Sequence, residues 1–154
     1  MCTKSESIFP VSSRYLDPSK SWPPILIRVS PDVTDTLESL AANRSDTEQV
    51  GILGMRRTEG LLTHIYLDAD AQCSCASAQL TGQKLTVVAQ QWQDTEDVIF
   101  AGIFHTHPNG LQTLSQQDLA YARQVLSENK MQTLLMVLIT PEKALFYAVD
   151  QTLQ

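Results

Sequence analysis

The apolar positions along the chain change period several times, and each change marks an element. Pro24-Ile25-Leu26-Ile27-Arg28-Val29 is a short apolar run that predicts a strand over 24–29. Ser30-Pro31 then supplies an N-cap and a first helical turn. Val33, Leu37, Leu40 and Ala41 follow at helical spacing and give that helix one apolar stripe. Residues 48–55 and 61–67 read as a strand pair joined by the polar turn Arg56-Arg57-Thr58-Glu59-Gly60. A second helix is expected over about 82–93, with Leu85, Val88, Ala89 and Trp92 inward. Residues 98–104 form an unbroken apolar run, the mark of a buried strand. A third helix opens at Ser115, turns Leu119, Ala122 and Leu126 to the core, and ends near Asn129. Residues 131–139 read as another central strand, and Thr140-Pro141-Glu142-Lys143 turns the chain into a last strand over 144–149.

Residues 1–23 break this rhythm. They are rich in Ser and Pro with little periodicity, and are expected to form a loosely ordered N-terminal arm to a single domain over 24–154. Strands and helices intermix, so the fold class is α/β (α+β), with a single mixed β-sheet flanked by helices. No internal repeat or low-complexity segment interrupts it.

Composition narrows the function classes. A chain of 154 residues with 43% hydrophobic content can bury a core without disulfide or metal staples. A net charge of −6 and a pI of about 4.9 disfavour a nucleic-acid partner. No apolar run reaches membrane-spanning length, and Met1 to Ser7 lacks a signal peptide's apolar stretch. A cytoplasmic protein with no membrane partner is the expectation, and a homodimer is compatible with it. Cys2, Cys73 and Cys75 are an odd set without Cys-x-x-Cys spacing, so free thiols are expected.

Candidate chemistry concentrates in one stretch. His105-Thr106-His107-Pro108 ends the apolar run, and Ser115 and Asp118 follow. In an extended segment, residues i and i+2 point the same way, so both imidazoles can face one metal. Pro108 cannot donate to a sheet and stops the strand. Ser115-x-x-Asp118 is a capping-box variant that opens a helix and can return the carboxylate to the metal. Two imidazoles and one carboxylate are the protein ligands of a catalytic zinc that keeps a fourth position for water. By typical residue usage the joint pattern arises by chance in a chain this long only about once in 10⁵, which separates it from either half alone. His64 sits on a predicted strand and is left outside this group; Trp22 and Trp92 read as packing residues.

His105-x-His107-Pro108 with Ser115-x-x-Asp118 resembles the signature of the JAMM metalloproteases, the MPN-plus or JAB domain family. That family also carries a glutamate on an earlier strand near a Gly-x-Leu, and Glu48-Gln49-Val50-Gly51-Ile52-Leu53-Gly54 fits that place. The resemblance is detailed from Glu48 to Asp118 and coarse from Pro24 to Asp150. It implies the JAB/MPN fold, which is cytidine-deaminase-like. It implies one Zn2+ per chain held by His105, His107 and Asp118, with Glu48 as general base and Ser115 as hydrogen-bond donor to the tetrahedral oxyanion.

The resemblance further implies an isopeptidase or peptidase that cuts after the C-terminal glycine of ubiquitin or a ubiquitin-like protein. The short chain is similar to stand-alone bacterial JAB peptidases, some of which accompany ubiquitin-like conjugation genes, including antiphage operons. Deconjugation is the favoured expectation. Processing of a sulfur-carrier protein and a non-catalytic MPN scaffold are the alternatives, and the complete ligand set argues against the scaffold. In the family the segment from Asp68 to Gly82 is a lid over the substrate's extended tail. Here its residues are mostly small and polar, as in a lid that is flexible when empty.

Overall fold

The structure, a computed structural model, describes residues 5–15, 26–43, 47–68, 72–73, 78–79 and 82–151. Its elements in chain order are β1 (Ser7–Tyr15), β2 (Leu26–Val29), α1 (Pro31–Ala42), β3 (Val50–Arg56), β4 (Leu61–Leu67), β5 (Gln72–Cys73) and β6 (Ala78–Gln79). Then come α2 (Gly82–Glu96), β7 (Val98–Thr106), α3 (Gln116–Glu128), β8 (Thr133–Ile139) and β9 (Ala144–Asp150). Among the described residues, no helix is long and apolar enough to cross a membrane.

Seven strands form one mixed sheet in the order β1-β2-β4-β3-β7-β8-β9, and this sheet closes on itself. The closure corrects the expectation of a single mixed sheet simply flanked by helices. Its cause is β1, which lies inside the segment expected to be a loose arm. β1 pairs antiparallel with β2 and parallel with β9, so it joins the two edges. The pattern hid it because few of its inward positions are apolar: Ile8 and Pro10 are exposed, while Ser7, Phe9 and Val11 are half-buried. Phe9 stacks on Phe146 of β9 with ring centroids 4.7 Å apart, which fixes the seam. Most of the remaining arm, Trp22 included, lies outside the described residues.

The core is split by the sheet. Successive residues of one strand go to opposite faces: Ile52 and Leu53, Ile103 and Phe104, Met136 and Val137. Ile52, Ile103 and Met136 pack with Leu85 and Trp92 of α2 and with Leu119, Ala122 and Leu126 of α3. Leu53, Phe104 and Val137 pack with Val33, Leu37 and Leu40 of α1. α2 and α3 therefore pack on one face of the sheet and α1 on the other. β8 is buried along almost its whole length, which explains its unbroken apolar run.

Gly51 is required by a close approach. A Cβ there would run into the Tyr66 carbonyl oxygen of β4 and the Phe104 ring. Its absence lets β4 and Phe104 close down beside the residue that pairs with His105.

The lid segment carries a correction of detail. Gln72↔Gln79 and Cys73↔Ala78 pair as a two-stranded antiparallel sheet where only a loop was expected. Residues 69–71, 74–77 and 80–81, Cys75 included, fall outside the described residues.

Candidate metal centre

Strand pairing brings the candidate residues to one end of the sheet. β3 and β7 run antiparallel with Val50 opposite His105, so Glu48, just before β3, arrives beside the end of β7. β8 flanks β7 in parallel with Leu138 opposite His105. The His107 amide extends that ladder by one bond to the Ile139 carbonyl at 2.8 Å, after which Pro108 ends it. His105 and His107 lie on the same side, with ring centroids 4.7 Å apart and planes at 89°. Glu48, His105 and His107 are all buried, and each offers a ligand atom within 4.8 Å of the others.

Asp118 reaches the same point from the first turn of α3. Its Oδ1 lies 4.0 Å from His105 Nδ1, and its Oδ2 lies 3.8 Å from His107 Nε2. Glu48 Oε1 is also 3.8 Å from His107 Nε2. Ser115 is placed by the capping box. Its amide donates to Asp118 Oδ2 at 2.8 Å, and its Oγ accepts from the Asp118 amide at 3.0 Å. One motif thus starts the helix and aims the carboxylate. Ser115 itself is exposed at the cap.

The donor set fits a zinc ion. Zinc bonds to nitrogen and oxygen of about 2.0–2.1 Å in a tetrahedron imply ligand separations of roughly 3.4 Å. The separations of 3.8 and 4.0 Å exceed that by a few tenths, within reach of small side-chain shifts. His107 Nδ1 lies 2.9 Å from the Leu111 carbonyl oxygen, a pure acceptor. Nδ1 therefore carries the hydrogen, and Nε2 presents its lone pair. His105 turns Nδ1 toward Asp118, while its buried Nε2 has no hydrogen-bond partner among the described residues.

The electrostatics point the same way. Burial pushes the Glu48 carboxyl up to about 7, and the Asp118 carboxylate adds to the rise. Burial pushes His105 down to about 4; Asp118 opposes that shift, and His107 adds to it. His105 is therefore neutral at physiological pH, the form a metal needs. Two carboxylates crowded into one buried pocket favour a divalent cation between them.

Sequence reading missed Thr106. Its Oγ accepts the Gln49 amide at 2.8 Å, and its own amide donates to the Gln49 carbonyl at 2.9 Å. Both backbone groups of the residue after Glu48 are thus held by the residue between the histidines. The one signal available was a hydroxyl residue as the spacer of His-x-His. His64 stands elsewhere: its Nε2 lies 2.9 Å from Glu96 Oε2, its Nδ1 lies 2.8 Å from Thr63 Oγ, and its ring meets Trp92 edge-on.

Residues 30–150 match the pattern of the prokaryotic homologs of the JAB domain. The chain belongs to this family. The solution structure of a Desulfitobacterium hafniense protein is similar to this JAB domain at 16% identity, with a TM-score of 0.59 over 82% of this chain and 94% of that one. A Salinibacter ruber protein is similar at 16% identity and a TM-score of 0.44, over 78% of each chain. At that identity the first likeness shows the fold alone. No curated protein matches the chain.

Proposed function

We propose that this JAB domain is a zinc-dependent isopeptidase or peptidase that removes a ubiquitin-like protein by cutting after its C-terminal glycine. The observation that carries the reading is the meeting of Glu48, His105, His107 and Asp118 at one end of the sheet. A zinc held by His105, His107 and Asp118 would supply a Lewis acid and lower the pKa of its water to about 7. Glu48 is matched to that task. Its carboxyl lies 3.8 Å from His107 Nε2 and, without metal, is held up to about 7 by burial and Asp118, so it is placed to take a proton from water and return it to a leaving amine. Thr106 holds the backbone beside Glu48, so the base keeps its place during transfer. Ser115 would donate its hydroxyl hydrogen to the oxyanion, a contact typically worth about 10²–10³ in rate.

The substrate class rests on the family. A tail ending in Gly-Gly has only backbone to offer, and such a segment is recognised by main-chain hydrogen bonds to an extended partner. The setting that suits such a peptidase is a bacterial ubiquitin-like conjugation pathway, with antiphage defence as one use.

The test has two arms. Elemental analysis of the wild type and His107→Ala should find one zinc per chain in the first and little in the second. Cleavage of a panel of fusions, including ubiquitin-like and sulfur-carrier proteins, should then show turnover that depends on zinc and on Glu48. Equal zinc in both proteins sinks the metal centre; zinc without cleavage of any fusion sinks the substrate class.

A further inference from the structure

The loop between His107 and Ser115 carries two of the centre's contacts on its ends, and its middle is tied down from the sheet. Tyr147 lies on β9, in register with Met136 of β8, and is buried. Its phenolic hydroxyl donates to the Gln112 carbonyl oxygen. Its ring packs in the cluster that holds Leu114 of the loop and Leu119 and Ala122 of α3. One residue before Gln112, the Leu111 carbonyl receives the His107 Nδ1 hydrogen at 2.9 Å. The Gly110 amide closes on the His107 carbonyl at 3.0 Å, and the Leu111 amide on Asn109 Oδ1 at 3.1 Å. The loop is therefore a short bridge. One carbonyl orients a histidine, the next is held by a phenol, and two residues later Leu114 is anchored in the core ahead of Ser115.

We propose that Tyr147 is a positioning residue for the metal centre. By holding the Gln112 carbonyl it fixes the Leu111 carbonyl, and through that the orientation of His107. It also sets how far α3 brings Asp118 toward the two imidazoles. The inference rests on the proposed zinc site and adds a residue from β9, 29 residues beyond Asp118. Partners of metal-bound histidines commonly alter metal affinity by about 10–100-fold when removed. Tyr147 acts one bond further out, so the expected loss lies near the lower end of that range.

Tyr147→Phe keeps the ring and removes only the hydroxyl. Zinc affinity would be measured by chelator competition on the full chain, the geometry by the visible spectrum of the cobalt-substituted protein, and the fold by thermal melting without metal. The expected result is roughly ten-fold weaker zinc binding and an altered cobalt spectrum, with a metal-free melt close to wild type. Gln112→Ala, which leaves the carbonyl in place, should bind zinc as the wild type does. Unchanged affinity and spectrum in Tyr147→Phe overturn the proposal. So does a variant that no longer folds without metal, because the hydroxyl would then be holding the sheet and not the site. A wild type that binds no zinc overturns the metal centre itself, a distinct failure.

Discussion

Thr106 and Gln49 exchange two hydrogen bonds, the Gln49 amide to Thr106 Oγ at 2.8 Å and the Thr106 amide to the Gln49 carbonyl at 2.9 Å. The pair extends the β3–β7 ladder past the end of β3, where Val50 faces His105. It lies between the segment that carries Glu48 and the tripeptide that carries both imidazoles. Glu48 and the two imidazoles, the proposed base and ligands, are therefore fixed relative to each other by main chain and one hydroxyl.

Thr106→Val keeps the shape and removes the acceptor. The Gln49 amide is left without its partner, at a cost of about 1–2 kcal/mol in stability. Zinc content should stay at the wild-type level because the ligands are untouched. Turnover should fall roughly 10-fold or more, since small displacements of a catalytic group are expensive. Thr106→Ser, which retains the hydroxyl, should recover most of the activity. Melting curves, zinc analysis and cleavage rates on the three proteins decide it; full activity in Thr106→Val would remove Thr106 from the site.

Gly51→Ala probes the packing beneath the site. The added methyl meets the Tyr66 carbonyl, which cannot move without breaking the β3–β4 ladder, and the Phe104 ring. Overpacking of this kind costs about 1–3 kcal/mol, or several degrees in melting temperature for a domain of this size. Because Phe104 precedes His105, zinc affinity should fall with stability. A melt equal to wild type would show that β3 has room to spare.

Much of this was legible in the sequence where a local rule and the tertiary structure agreed. The stripe Val33, Leu37, Leu40 predicted α1 and its buried face. The apolar run before His105 predicted β7, and Ser115-x-x-Asp118 predicted the start of α3 and its capping box. His-x-His drew both imidazoles to one point through the alternation of a strand alone. What stayed hidden depended on partners distant in sequence. β1 owes its existence to pairing with β2 and β9, and nothing in Ser7-Ile8-Phe9-Pro10-Val11 announces both edges. Thr106 and Tyr147 look like ordinary strand residues until the neighbours they bond are known. Glu48 came from family resemblance, because a single carboxylate before a strand has no local signature.

The capping box and the metal ligand are separable by substitution. Ser115→Ala removes the acceptor for the Asp118 amide and should cost about 1 kcal/mol in stability. Zinc should be retained, since the Ser115 amide still holds Asp118 Oδ2. Asp118→Asn should do the reverse. Its amide oxygen can still accept from the Ser115 amide, so the metal-free melt should change little, while the loss of an anionic donor should weaken zinc strongly. Paired melting and zinc-affinity measurements on the two variants test this. If both variants lose stability and zinc in the same proportion, the two roles of this turn are not independent.

Glu48 should make the metal-free protein less stable as pH rises. Its folded carboxyl titrates at about 7 against an ordinary value near 4.5. Between those values the folded chain holds a proton that the unfolded chain has released. Stability from this group is therefore fully present below about 4.5 and is lost as pH climbs to 7. His105 runs the other way. Its folded ring titrates at about 4 against an ordinary 6.5, so it adds stability as pH rises across that window. The two trends overlap in the wild type, so the clean measurement is a difference. Glu48→Gln replaces the carboxyl by a neutral group of the same shape and leaves His105 in place. In chelator, Glu48→Gln should be the more stable protein at pH 8, by on the order of 2–3 kcal/mol for a shift of this size. At pH 5, where the folded wild-type carboxyl is already protonated, the gap should shrink to a fraction of that. Adding zinc at pH 8 should narrow the gap, because the cation stabilises the wild-type carboxylate. Denaturant melts of both proteins at the two pH values are sufficient, and a gap independent of pH would mean that Glu48 is not held in the buried, carboxylate-flanked position on which its role as base depends.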